Sequence, residues 1–476
     1  MKAQSRLSVA MLAENMLSNW MYIRKLLPAL MAASLGYFVV QTDVSIVNLS
    51  LPSIQAYYHT SVSMLQWIVN AYTLSLSVLL LSAGVLGDHY GTKRFLIIGY
   101  IVFFVGSFAC AIAPSIPFLL ASRFFQGIGA AIIIPNSLAV INSTFAHDNR
   151  LRVLMITIWM AFGGVALSAG PIFGGIITSI ASWRYIFVIN LPICLIGTLL
   201  VWRYVNVSLS CHVGRRHDWL GQALILFFAT SLLLLIINYD DLTNITRWTL
   251  FGAAITSLVL FVITEIKHVD PAIPLVIFRN TGLRRAVTLG FLVNFIYFGI
   301  IFFLSLYFRY NLHMTPLQAG LAFIPVTFPL IISNIWSAKI TRRHYPEMSI
   351  MIGLLVLISG MFYLSLLSEK GTSYLEMFPA LAFVSCGVGL VTPMITTIAM
   401  HSIGHERGGM ISGVINFSRQ VGGTFGVAVF GGFLSSSENV AHYDIFSDAL
   451  LVIAFVMIGF VWWFRHTSKQ LYASRG

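Results

Sequence analysis

Fourteen apolar runs, nearly free of charge, follow one another from Leu27 to Phe464. Each, at about 20 residues or more, is long enough to cross the ~30 Å hydrocarbon core of a bilayer as a helix. In lipid only helices and closed barrels satisfy their own backbone hydrogen bonds, and runs this long and uniformly apolar select the helix. They fall near 27–50, 64–87, 95–114, 117–142, 153–178, 184–205, 219–238, 248–267, 286–308, 316–338, 348–368, 374–400, 410–434 and 443–464. Charged residues make up only 9% of the chain, far below the share of about 25% usual in soluble domains. The expected fold is an all-α polytopic membrane protein.

A net charge of +12 would suit a nucleic-acid binder, but its placement argues otherwise. With the N-terminus assigned to the cytoplasm, 22 of the 28 Lys and Arg residues fall on the inner side. Arg184, Arg247, Arg309 and Lys370 lie outside or at the outer edge, and Arg123 and Arg419 lie within spans. That asymmetry follows the positive-inside rule through all fourteen spans, so the basicity orients the chain and no nucleic-acid partner is expected. Cys110, Cys194 and Cys386 sit in apolar runs and Cys211 in an inner loop, which leaves no readable disulfide framework. The first 26 residues carry Lys2, Arg6, Arg24 and Lys25 around a short apolar stretch and read as a retained cytoplasmic tail. Loops are short, and neither His-Glu-x-x-His nor Gly-x-x-x-x-Gly-Lys-Ser/Thr occurs. The expectation is a carrier, not an enzyme or an ATP-driven pump, with no cofactor and no metal.

Two basic inner segments, around Arg203 to Asp218 and Glu265 to Arg285, divide the chain. The division predicts a tail (1–26), a six-helix half (27–205), two inserted helices with flanking loops (206–285), a second six-helix half (286–464) and a C-terminal tail (465–476). Paired six-span halves are a transporter pattern, with the substrate site at the midplane between them. The repeat is faint in sequence. The segment Trp336 to Arg343, WSAKITRR, stands where a second copy of the loop Gly84 to Arg94, GVLGDHYGTKR, would fall, yet keeps only its basic charge. The inserted spans hold Asp240 and Asp241 at their outer ends and Glu265, Lys267 and His268 at the inner end, and read as structural.

Ionisable residues deep in a span are costly in lipid and are functional candidates by default. Asp43 is the only acid well inside an apolar run. It lies about 8 residues, ~12 Å, below the outer end of span 1, and Arg123 about 6 residues, ~9 Å, below the same surface in span 4, at 1.5 Å per residue. Similar depth lets the two meet. An acid beside a basic partner holds its charge, and loss of that partner or a change of access lets it take up a proton. The pair therefore suits proton or substrate coupling, and a fixed ion pair joining spans 1 and 4 stays open as the alternative. In span 5, Gly163, Gly170 and Gly174 fall on one helical face where a neighbouring backbone can approach closely, and Pro171 removes a hydrogen bond beside them. Tyr37, Asn48, Trp67, Tyr72, Gln126, Asn294, Tyr297 and Arg419 are candidates for a substrate pocket.

The motifs resemble those of the major facilitator superfamily, and within it the fourteen-span drug:proton antiporters. GVLGDHYGTKR is similar to the superfamily's inner-loop signature Gly-x-Leu-x-Asp-x-x-Gly-x-basic-basic through Gly84, Leu86, Asp88, Gly91, Lys93 and Arg94, with His89 where Arg or Lys is commoner. QTDVSIVNLSLPSI resembles the first-span signature of the fourteen-span exporters through Asp43, Ile46, Val47, Asn48, Leu51 and Pro52. RFFQGIGAA resembles the fourth-span signature through Arg123, Gln126, Gly127, Gly129, Ala130 and Ala131. Gly170, Pro171, Gly174 and Gly175 resemble the antiporter string Gly-Pro-x-x-Gly-Gly, and Ile411 to Val429 resembles the thirteenth-span pattern that carries Arg419.

The resemblance implies two six-helix halves plus two inserted helices, proton transfer at Arg123, and a bracing role for Asp88 and Arg94 at the inner face. It implies a monomeric antiporter of the inner membrane, both termini cytoplasmic, whose partners are protons, the lipid bilayer and a small amphiphilic substrate. A lone intramembrane Asp suits a cationic drug or metabolite, since attraction is strong at low dielectric. Two intramembrane Arg residues keep zwitterionic or anionic metabolites open, including siderophores or antibiotics made by the cell itself. An uptake symporter of the same fold is the nearer rival, and the span-5 string weighs against it.

Overall fold

The computed structural model describes residues 2–146, 148–205, 218–268, 270–271, 273, 275–343, 346–367, 373–403, 408–433 and 443–473, with 2–26 described as backbone only. Cys211, Arg215, Arg216, Lys370, Arg407 and Arg475 lie outside the described residues, as do the side chains of the N-terminal tail. The first group of helices comprises α1 (Lys2–Tyr58), α2 (Val62–Tyr90), α3 (Thr92–Ala111), α4 (Ile116–Thr144), α5 (Asn149–Ile180), α6 (Tyr185–Val188) and α7 (Asn190–Tyr204). Then come α8 (Trp219–Ile237) and α9 (Asn244–Lys267). The second group comprises α10 (Thr281–Tyr310), α11 (Pro316–Leu321), α12 (Ile324–Arg343), α13 (Pro346–Leu366), α14 (Tyr374–Ile403), α15 (Gly408–Gly431) and α16 (Tyr443–Ala473). Among the described residues there is no strand.

Thirteen of the predicted spans are helical segments long and apolar enough to cross a membrane. The remaining one, α15, is a helix of 24 residues whose Asn416, Arg419, Gln420 and glycines lower its apolarity. Two spans read as continuous are broken, each by a proline. Pro192 cannot donate to the carbonyl of Val188, where α6 ends, and Pro325 cannot donate to that of Leu321, where α11 ends. The membrane-crossing part of α1 begins at Leu27, but the helix itself runs on from Lys2 without a break. Arg285, read from the sequence as an inner-loop cation, lies inside α10 at 1% exposure. Its guanidinium carbon is 5.1 Å from the centre of the Phe464 ring.

The internal repeat that is faint in sequence is plain in the packing. In the first group α1 packs on α5, α2 on α4 and α3 on α4; in the second α10 packs on α15, α12 on α14 and α13 on α14. The groups meet through α2 against α15 and, correspondingly, α5 against α11 and α12. The pair α8–α9 forms a hairpin that leans on α2. Gln222 bonds to Ser82, Ser63 Oγ donates to the Ile237 carbonyl at 3.4 Å, and Trp67 Nε1 donates to Asn238 Oδ1 at 3.1 Å. These contacts run most of the length of α2, and α8 also packs on α15 beside Phe425 and Ala428, so the inserted hairpin touches both groups.

Candidate functional site

Asp43 is wholly buried inside the first group, where four helices converge on it. Arg123 and Gln126, one turn apart on α4, share a face and reach it together. The Arg123 guanidinium pairs with Asp43 Oδ2, while Gln126 Nε2 and Asn190 Nδ2 each donate to Oδ1 at 2.9 Å. Arg123 also donates through Nη1 to Gln126 Oε1 at 2.6 Å and through Nε to the Ile68 carbonyl at 3.2 Å. Its guanidinium carbon lies 4.3 Å from the centre of the Tyr72 ring and 5.7 Å from that of Phe187. Ser107 on α3 accepts from Gln126 at 2.7 Å and from Asn190 at 3.3 Å. Charge-assisted hydrogen bonds of this kind contribute about 1.5–3 kcal/mol each. Removing one partner of a buried ion pair costs about 3–5 kcal/mol, because it strands the other charge.

Ser107 and Asn190 were not singled out from the sequence. Asn190 opens α7 directly after Ile189, whose φ of −60° and ψ of −25° stay helical, so α7 continues the line of α6. A lone amide in the apolar stretch Trp183 to Ile193 was the available signal. Only the fold brings α7 to α1.

The glycine face of α5 packs on α1. A Cβ at Gly163 would strike the Tyr37 ring, one at Gly170 the Ser45 hydroxyl, and one at Gly174 would sit 2.6 Å from the Ile46 carbonyl oxygen. Gly175 points elsewhere, into the second group, where a Cβ would lie 2.6 Å from the Pro316 carbonyl oxygen and 2.7 Å from Gly320 Cα. Pro171 lies within α5 between these contacts. The string Gly170 to Gly175 thus touches the Asp43 helix on one side and the opposite group of helices on the other.

Four further contacts join the groups. Gln66 Nε2 donates to the Val427 and Ala428 carbonyls at 3.2 and 2.8 Å, and Thr424 Oγ1 donates to Thr73 Oγ1 at 3.0 Å. Tyr310 bonds to Gln55, and Thr327 donates to the Ser168 carbonyl. All four lie from the midplane outward, given the orientation set by the inner loops. On the inner side of them Tyr37, Asn416, Arg419 and Gln420 are partly accessible, whereas Gln66, Thr73 and Thr424 are buried. Among the described residues, these hydrogen bonds hold the two groups together from the midplane outward.

Of the eight pocket candidates, Tyr37 and Arg419 come together across the two groups, close enough for the charge of Arg419 to act on the Tyr37 hydroxyl. Tyr72 and Gln126 belong to the Asp43 cluster, and Tyr72 donates to the Val40 carbonyl at 3.3 Å. Asn48 and Asn294 are buried and bond carbonyls of their own helices, at Val44, Ser45 and Gly290. Trp67 reaches the inserted hairpin, and Tyr297 is buried with its ring edge-on to Phe298 at 5.4 Å.

At the inner face Gly91, with φ 102°, sits between α2 and α3 in a conformation that favours glycine. Asp88 and Arg94 are both exposed on either side of it, and Lys93 Nζ donates to the Trp202 carbonyl at 2.9 Å. A Cβ at Gly84 would lie 3.4 Å from Pro135, an ordinary contact. Gly87 is the tight position, since a Cβ there would strike the Asn136 amide, which itself donates to the Ala83 carbonyl at 3.1 Å.

Comparison with known proteins agrees with this architecture. The family model described as Major Facilitator Superfamily matches residues 33–427. The chain is 31% identical over 435 residues to the methylenomycin A resistance protein of Streptomyces coelicolor, covering 91% of this chain and 90% of that one. It is 32% identical over 415 residues to the multidrug resistance protein Stp of Mycobacterium tuberculosis, covering 87% and 76%. Among solved structures, a D-xylose–proton symporter superposes with a TM-score of 0.64 over 92% of this chain and 97% of its own, at 16% identity, a likeness of fold alone.

Proposed function

Because the chain belongs to the major facilitator superfamily, we propose that it is a proton-coupled antiporter that exports amphiphilic compounds across the membrane by alternating access. The observation that carries this reading is the buried Asp43 carboxylate, held by Arg123, Gln126 and Asn190 within one group of helices. Relatives named for methylenomycin A resistance and multidrug resistance support export as the direction.

Proton binding at Asp43 would release Arg123, whose remaining acceptors, Gln126 Oε1 and the Ile68 carbonyl, are already in contact. With Asp43 fully buried, proton exchange requires α1 or α4 to shift. The glycine face of α5 lies on α1, and Gly175 at the outer part of α5 lies on α11. A shift of α1 is therefore felt where the two groups meet. In this reading residues 27–205 and 286–464 rock against each other, with the insertion within 206–285 packed beside α2 and α15. Asp88 and Arg94 brace the inner loop. The protein is a carrier and not a catalyst, acts as a monomer without cofactor or nucleic acid, and lies in the cytoplasmic (inner) membrane with both termini inside. The inner-side excess of Lys and Arg supports that orientation.

The test is Asp43→Asn in inverted vesicles with an imposed pH gradient and a fluorescent amphiphile. The expected result is loss of uphill dye movement at normal insertion. Uphill export by the variant under a pH gradient alone would exclude Asp43 as the essential proton carrier.

A further inference from the structure

Arg123 and Arg419, the two arginines nearest the middle of their helices, have opposite surroundings. Arg123 is fully engaged by Asp43, Gln126 and the Ile68 carbonyl. Arg419, near the middle of α15, has a buried Nε with no hydrogen-bond partner among the described residues, and the described titratable group within its electrostatic reach is the phenol of Tyr37. Its stem crosses Gly290 of α10, where an added Cβ would sit 3.2 Å from Arg419 Cγ. Tyr37 is set opposite by its stack on Trp159, ring centres 4.0 Å apart at 18°, and by the space at Gly163. With Asp43 and Arg123 cancelling, Arg419 leaves the described residues around it one positive charge in excess. An uncompensated charge at such depth is costly, and an incoming anion relieves the cost.

We infer that Arg419 and Tyr37 form the subsite for an anionic group on the exported compound, so that the transported class is organic anions and zwitterions bearing a carboxylate or comparable group. The inference rests on the export reading and specifies its substrate. The guanidinium presents a planar fork that matches a carboxylate with two parallel hydrogen bonds, and a phenol hydroxyl beside it supplies a further donor. The subsite lies on the inner side of the contacts Gln66–Ala428 and Thr73–Thr424, where Tyr37 and Arg419 are both partly accessible. A lipophilic cation entering the same space would be repelled by Arg419, and among the described residues the carboxylate nearest the middle of the spans, Asp43, is already paired with Arg123.

The test compares rhodamine B, a zwitterion with a free carboxylate, and its ethyl ester, a cation on the same ring system. Binding to the purified full-length protein is read by dye anisotropy, and pH-driven accumulation is read in inverted vesicles. Wild type should bind the carboxylate dye about tenfold or more tightly than the ester, as expected for a charge-assisted pair. Arg419→Gln should bring that ratio close to one, Arg419→Lys should keep part of it, and Tyr37→Phe should lower it. A wild-type preference for the ester, or a ratio unchanged in Arg419→Gln, would overturn the inference. Asp43→Asn separates the two claims: retained dye preference with lost pH-driven movement supports both. Retained preference without pH-driven movement in wild type would leave the anionic subsite standing and remove proton-driven export.

Discussion

At Arg123 one guanidinium serves three acceptors on three helices: Asp43 on α1, the Ile68 carbonyl on α2 and Gln126 on its own α4. A lysine offers a single point charge and cannot reproduce that fork. Arg123→Lys should therefore lose the Ile68 contact and loosen the hold on Asp43, with coupled export reduced about tenfold or more at about 1.5–3 kcal/mol per charged hydrogen bond lost. Dye binding and pH-driven transport measured in one liposome preparation check this, with binding kept and transport reduced. Asn190 permits a finer test, because it donates to the carboxylate and carries no charge of its own. Asn190→Ala should shift the pH at which transport is half-maximal while leaving a folded protein, and an unmoved pH profile would reduce Asn190 to packing.

On α5 the approach to α1 at Gly174 is decided by backbone, whereas the Tyr37 and Ser45 side chains stand opposite Gly163 and Gly170. At Gly174 even a methyl group would press on the Ile46 carbonyl oxygen at 2.6 Å. Gly174→Ala should already impair transport, and Gly170→Leu or Gly174→Leu should impair it further, since overpacking costs about 1–3 kcal/mol and here separates two helices. Gly164 is the control in the same helix, because a Cβ there meets nothing within 4 Å. Gly164→Ala should transport as wild type, and equal damage at Gly164 and Gly174 in a vesicle assay would refute the helix-contact explanation. Prolines act at the same scale: Pro192 and Pro325 remove the hydrogen bonds that would join α6 to α7 and α11 to α12.

For the whole molecule, the join between the two groups can be locked. Thr73 and Thr424 hydroxyls lie 3.0 Å apart across the two groups of helices. With the four native cysteines replaced, Thr73→Cys and Thr424→Cys should cross-link on oxidation, stop export, and recover it on reduction. Free export in the cross-linked protein, scored by gel mobility and dye flux, would show that the two groups need not part there. The repeat between the groups also belongs to this scale. Gly127 packs against Ser75, and Gly389 against Ser333, with each serine donating to the carbonyl three residues before it in its own helix. Two equivalent pairs survive in the packing where the loops no longer match in sequence.

The sequence by itself determined the membrane environment, the positions of the spans and the depth at which Asp43 and Arg123 could meet. Those properties depend on apolar length, charge placement and helical rise, all of which are local. The tertiary structure alone decided that Asn190 and Ser107 complete the Asp43 cluster, that Gly175 faces a different neighbour from Gly174, and that Arg419 comes within electrostatic reach of Tyr37 across two groups of helices. Azimuth explains the difference. In an almost uniformly apolar helix no polar stripe tells which face meets which neighbour, so contacts between residues far apart in the chain are set only when the helices pack.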